Sequence, residues 1–475
     1  MQLNRESITG CLHRRGYDVS SVAIILLVVL LLFRVRAFLP VFSDSWYHLA
    51  VIRAFSERGI SLHAWWEFAP FGRPHLYSPL FHVVGVAILK LTGWDLLEIA
   101  RLYDVVTFPL VLAAGWWAAR SFFGKRAAFL TLLLLLLNIG LVFPCSLIMM
   151  PGTYALILWP LVCIKLLGRK LIAAGLLLGG MLYLHLGVAC VAVGSLFLFA
   201  MFKREFLRPA VLVAALACVL FSPWLAHLFH NRAYLQSGTA RLPIFMPAFT
   251  LLAAVLGIVS AVRERGKEPL AILAMIIASV AFWFTLQERF WTYGGFLFAL
   301  LGGYGIERWA GGRVRIAVGV LLISCVSVTP FLRPVDMKLA VPVPFQTTPF
   351  LIASPLLTLA DWQRSEQSAN LPKAVPEDLA ALTEWIKQNL GSDTIILTED
   401  RLLGASLFVL TGRRTTSGLW SEAMTGELKQ KLTQYFQASS GYIIVNHNDG
   451  DGADPPGKIS RVASFGEYTV LYRSP

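Results

Sequence analysis

Asp44, His48, Arg53, Arg73, His75 and His82 crowd into one stretch, reading FSDSWYHLAVIRAFSERG from Phe42 and PFGRPHLYSPLFH from Pro70. A carboxylate can take a proton from a reacting hydroxyl, and guanidinium or imidazole groups can hold an anion. The sequence around this stretch is nearly all hydrocarbon. Ionisable groups are costly there and mark function. The residues therefore suit chemistry at a membrane surface, and the remaining elements must be read for how they position it.

The chain has 475 residues, 56% of them apolar and only 15% charged, with a mean hydropathy of +0.65. A soluble enzyme would carry about 25% charged residues. This is the composition of a polytopic membrane protein. The net charge of +13 sits in small clusters between apolar runs, the pattern of cytoplasmic loops, so no nucleic-acid partner is expected. Six cysteines lie in or beside apolar segments and form no zinc or disulfide spacing.

Arg5, Arg14 and Arg15 precede the first apolar run at about 19–33, which lacks a small-residue cleavage site and reads as a retained span. The N-terminus is then cytoplasmic and Asp44 lies outside. Trp46, Leu49, Ile52 and Phe55 recur at three-residue spacing, with His48 and Arg53 off that face, which predicts a helix lying on the membrane over 45–58. The apolar run 80–91 is shorter than the roughly 20 residues needed to cross and reads as a re-entrant or surface helix. Further spans at about 103–119, 127–143, 154–167, 171–184, 186–202, 209–229, 245–262, 269–286, 290–307 and 316–332 bring the expected total to about eleven, and place every basic cluster on one side.

The expected fold is mainly α: a membrane domain over 1–335 with a large first outward loop at 34–102, a linker at 336–360, and a small α/β domain over 361–475. Within the last, helices are expected at 376–390, 402–411 and 421–437, and strands at 394–398, 441–446 and 468–472. Both the N-terminal count and the span count put this domain outside the membrane, on the side of Asp44. The acidic run from Asn446 to Asp454 lacks the ligand series of a calcium loop and reads as a turn.

The aspartate just past the first span, the YSPLFH element and the later ERFWTYGG segment (Glu288 to Gly295) occur in an order that resembles the C-type integral membrane glycosyltransferases, distantly the catalytic subunit of oligosaccharyltransferase. The resemblance implies a sugar donor linked to polyprenyl phosphate, and a glycan, lipid or protein acceptor. It assigns the role of base or metal holder to Asp44 and of donor-phosphate contact to Arg289. The acidic pair carried by the second outward loop of the oligosaccharyltransferase branch has no counterpart in 143–154. A divalent metal, if held at all, would have to use Asp44 and Glu288 with His48 or His75, and a metal-free mechanism fits the residues better.

Sugar transfer from a lipid phosphate needs a base for the acceptor hydroxyl and cations for the departing phosphate. Asp44 at the edge of hydrocarbon is the natural base, with Arg289, Arg73 and His75 facing the phosphate and Trp65, Trp66 and Trp291 lining a lipid groove. Each residue also has a plainer role: Asp44 and Ser43 favour a helix start, Arg289 could pair with Glu288, and the tryptophans could be interface anchors. The alternative function is a transporter or flippase, which would carry buried mid-span charges and repeated halves. The sequence offers no internal repeat.

Overall fold

The computed structural model describes residues 5–35, 43–234, 248–285, 287–326, 375–418, 424–446 and 458–474. The first helix, α1 (Arg5–Val35), is followed by α2 (Ser43–Arg58), a short antiparallel pair β1 (His63–Ala64) and β2 (Arg73–Pro74), and α3 (Leu80–Thr92). A bundle of apolar helices comes next: α4 (Leu96–Phe123), α5 (Lys125–Leu136), α6 (Ile139–Leu147), α7 (Pro151–Leu167), α8 (Leu171–Leu184), α9 (Leu186–Phe202), α10 (Leu207–His230), α11 (Ala248–Glu264), α12 (Lys267–Thr285), α13 (Gln287–Ala310) and α14 (Val314–Val326). The apolar helices thus fall where the spans were expected.

Among the described residues, Gly16–Arg34 and Arg204–His230 are long and apolar enough to cross a bilayer unbroken. Two further pairs pass the same length and composition test only as bent units, α3 with α4 at 115° and α5 with α6 at 82°. The first bend fits the reading of 80–91 as a helix that does not continue into the next span. The second corrects the expected single span at 127–143, which breaks at Asn138, a residue with extended backbone and buried side chain. Helices α8 and α9, at 14 and 17 residues, meet at His185. At 1.5 Å per residue each is shorter than a membrane core of roughly 30 Å.

Basic residues gather on the face away from Asp44. Asp18 on α1 takes Arg120 Nε at 2.9 Å and Lys125 Nζ at 2.8 Å, joining the basic N-terminal flank to the α4–α5 corner. The α11–α12 and α13–α14 corners meet there too, where Glu264 accepts from the Tyr304 hydroxyl at 2.7 Å and pairs with Arg308 at 3.1 Å. Deep in the bundle, α11 and α13 touch through Gly257 and Gly305, whose bare backbones allow an approach that any larger residue would block.

The C-terminal domain consists of α15 (Glu377–Asn389), β3 (Ile395–Ile396), α16 (Arg401–Thr411), β4 (Arg414–Thr415), α17 (Gly426–Ala438), β5 (Gly441–Asn446), β6 (Ile459–Phe465) and β7 (Tyr468–Arg473). Strands β5, β7 and β6 form an antiparallel sheet in that order, and β3 pairs with β4 in parallel. Strand β6 was not expected: its alternation is blurred by Arg461 and Ser464, and a register shift interrupts its pairing at Arg461 and Ala463. Helix α17 begins at Gly426, after Thr425 caps it by accepting from Leu428 N–H at 3.2 Å, later than the expected start at 421. The expected linker at 336–360 and the acidic run beyond Asn446 lie outside the described residues.

Candidate active site

Helix α2 carries Asp44 in its first turn, with the carboxylate exposed and near the positive end of the helix dipole. Next to it, Ser45 Oγ accepts a hydrogen bond from Met149 N–H at 3.0 Å, which fixes the start of α2 to the α6–α7 connection. Helix α2 was expected to lie on the membrane with His48 off its apolar face. It is instead covered on both sides: Trp46, Tyr47, His48, Leu49, Ile52 and Phe55 are all buried. They share a core with Phe81 of α3 and with Ala405, Phe408 and Val409 of α16.

His48 is therefore an interior group. Its Nδ1 lies 3.0 Å from Nε2 of His82, so one ring donates and the other accepts. His75 is completely buried among the rings of Phe55, Trp66, His82 and Trp224, and its carbonyl accepts from His227 Nε2 at 2.9 Å. Burial, with the positive charge of Arg73 and two neighbouring histidines, holds the His75 imidazole well below the usual histidine range.

Arg73 is likewise interior, 1% exposed, with Nη2 2.7 Å from Glu67 Oε1. Burial pushes the Glu67 carboxyl up against the pull of the guanidinium. This corrects the sequence reading of Arg73 and His75 as groups open to a phosphate: the same loop that carries them folds over them, and Glu67, not flagged in the sequence, takes the guanidinium. The expected anchors fare similarly, since Trp66 is buried and stacks on Phe408 with ring centres 6.0 Å apart.

The 148–152 connection brings the starts of α7 and α9 together with a face of α13. Gly152, in the first turn of α7, lies against the Tyr293 hydroxyl of α13 and the ring of His185, which caps α9. His185 Nδ1 accepts from Val188 N–H at 3.2 Å, so the proton of the neutral ring sits on Nε2. Tyr77 from the first loop reaches the same place, its ring 6.1 Å from that of His185, and Ser78 Oγ donates to Leu182 O at 2.9 Å. Tyr293 is one helical turn beyond Arg289, so the two positions share a face of α13. The side chains of Glu288, Arg289 and Trp291 lie outside the described ones.

A buried polar pair missed in the sequence borders this region. Arg101 and Asp104, one turn apart on α4, approach to 3.4 Å, and Thr107 Oγ1 bonds the Tyr154 hydroxyl at 2.6 Å across to α7. Opposite charges at i and i+3 at the mouth of an apolar run were the available signal. For a metal, no group of three His, Cys, Asp or Glu side chains converges among the described residues.

The fold recurs in solved structures. ArnT from Cupriavidus metallidurans, bound to undecaprenyl phosphate, superposes with a TM-score of 0.64 over 97% of this chain and 99% of its own at 15% identity. The fold is that of the C-type membrane glycosyltransferases. The Archaeoglobus fulgidus oligosaccharyltransferase in its apo form matches at a TM-score of 0.63 and 12% identity, over 90% of this chain and 70% of its own. The mycobacterial arabinofuranosyltransferase AftD matches at 0.56 and 14% identity, over 97% of this chain and 40% of its own. No family model and no curated protein sequence matches the chain. With identities this low, it is the C-type fold that the three have in common with this chain.

Proposed function

We propose that the protein is an integral membrane glycosyltransferase that moves a sugar from a polyprenyl-phosphate-linked donor to a glycan, lipid or protein acceptor on the extracytoplasmic side. Asp44 takes the proton of the acceptor hydroxyl, the freed oxygen bonds to the anomeric carbon, and the bond from that carbon to the phosphate oxygen breaks. The polyprenyl phosphate leaves with the electron pair.

One observation carries this reading: the start of α2, with its exposed carboxylate, is tied through Met149 to the connection that leads into α7, whose first turn meets the cap of α9 and the face of α13 one turn beyond Arg289. The N-termini of α7 and α9 each carry a partial positive charge of about half a unit, the setting that favours a phosphate. Segment 143–154 adds no acid to oppose it. Arg289, at the start of α13, supplies the fixed cation for the leaving phosphate. Arg73 and His75 support the loop from inside. The C-type fold shared with ArnT, solved with undecaprenyl phosphate, and with the oligosaccharyltransferase, solved elsewhere with a dolichol phosphate, favours a lipid-phosphate donor.

The orientation follows from charge: the Asp18, Arg120 and Lys125 face is cytoplasmic and the Asp44 face outside. The deciding experiment is transfer of sugar from polyprenyl-phosphate donors by the purified protein in lipid. Asp44→Asn is expected to lower turnover by roughly 100-fold or more, the usual share of a general base. Undiminished turnover in that variant removes Asp44 from the role.

A further inference from the structure

The C-terminal domain touches the membrane domain through a set of backbone hydrogen bonds. Ala69 N–H donates to Thr415 O at 2.9 Å, Thr415 N–H to Trp66 O at 3.1 Å and Phe68 N–H to Ser417 O at 3.5 Å, so residues 66–69 pair with 415–417. On the other side of β4, Thr416 N–H donates to Ile396 O at 3.1 Å, and Leu397 exchanges bonds with Tyr442 and Ile444 of β5 at 2.9 Å each. Backbone hydrogen bonds therefore run from β5 through Leu397 and β4 to the first loop of the membrane domain, whose turn at 66–69 lies against β4.

A second contact lies on α2 itself. Arg53 Nη1 donates to Val409 O near the C-terminal end of α16 at 2.7 Å, while Glu57 holds its Nε at 2.7 Å and the guanidinium lies 5.8 Å from the Phe408 ring centre. Gly412, the left-handed cap of α16 at φ 76°, leaves the room: a Cβ there would stand 2.6 Å from Arg53 Nη2. Phe408 is completely buried in the same core as Trp46, Leu49 and Phe55. Helix α2 is thus held at its start by Ser45 and Met149 and farther along by Arg53 and α16.

We infer that the C-terminal domain is a positioning element of the active site: Arg53 and Phe408 clamp α2 from above and thereby fix where Asp44 points. The inference rests on Asp44 being the base. Arg53 touches no reacting atom, so it acts through α2. Placement matters steeply in such a site, since a shift of about 1 Å of a reacting group can cost roughly 100-fold in rate.

The test uses the full chain in lipid, with Arg53→Ala, Arg53→Lys and Phe408→Leu variants. Two readouts are taken: sugar-transfer kinetics, and amide hydrogen exchange of residues 45–58 with α10 as internal control. The expected result for Arg53→Ala is a fall in kcat of about tenfold or more with donor KM within about twofold, and exchange of the 45–58 amides about tenfold faster with α10 unchanged. Arg53→Lys, which keeps one donor for Val409 O, is expected to recover part of both effects. Phe408→Leu keeps an apolar contact and covers the case in which Arg53→Ala fails to fold. Unchanged exchange over 45–58, or faster exchange with full kcat, overturns the inference. If the unmodified protein transfers no sugar, the glycosyltransferase reading falls by itself, and the exchange result alone still decides whether the domain clamps α2.

Discussion

The Tyr293 hydroxyl packs directly against Gly152, where no side chain larger than hydrogen fits. This contact joins the start of α7 to α13 one turn beyond Arg289, so it sets the spacing of two of the helix starts assigned to the donor phosphate. Gly152→Ala is expected to push the tyrosine aside and raise donor KM several-fold. Tyr293→Phe removes the overlapping oxygen, so the double variant is expected to be less impaired than Gly152→Ala alone. A double variant as poor as the sum of the singles would show that the two sites act independently.

Glu67 and Arg73 form a buried ion pair within the loop that meets the C-terminal domain. Removing one partner leaves the other charge uncompensated in the interior. Glu67→Leu or Arg73→Leu is expected to cost roughly 3–5 kcal/mol, and the double Leu variant much less, because replacing a buried pair by apolar groups is often neutral. Thermal unfolding of the three variants in detergent checks the order.

His75 gives the first loop an acid-sensitive core. Its pKa is depressed in the folded protein, so the unfolded chain binds the proton more readily. The stability it contributes is fully present above the unfolded value of about 6.5 and is lost as pH falls from there toward the folded pKa. The groups facing it, His82, Arg73 and His227, are basic or neutral and offer a bound proton no counter-charge. The melting temperature is expected to drop between pH 7 and pH 5, and to drop less in His75→Leu. Equal acid sensitivity in that variant would move the effect to another group.

Sugar transfer is expected to survive chelation. The segment 143–154 supplies no acid, and among the described residues no three metal-binding side chains converge. The proposed mechanism draws its positive charge from helix N-termini and Arg289 instead. Loss of activity in EDTA, restored by magnesium or manganese, would place a divalent ion beside Asp44 and reverse this expectation.

The sequence alone determined the membrane class, the position of nearly every helix and the side on which the basic corners gather, because these follow from local hydrocarbon content and charge. It also singled out the loop of Asp44, since ionisable residues stand out against an apolar background. Tertiary structure decided the roles within that loop. Periodicity gave α2 one buried face, but α16, more than three hundred residues later, bonds Arg53 and joins its core, while Tyr77, Phe81 and His82 close over His48 and make it interior. Arg73 and His75 were buried by their own loop with α2, α3 and α10, and docking of the C-terminal domain set 66–69 in hydrogen-bond contact with 415–417, a meeting of distant backbones that leaves no mark in either segment's side-chain pattern. The α7 start at Gly152, the α9 cap His185 and Tyr293 within α13 likewise converge only through packing, which spacing along the chain does not encode.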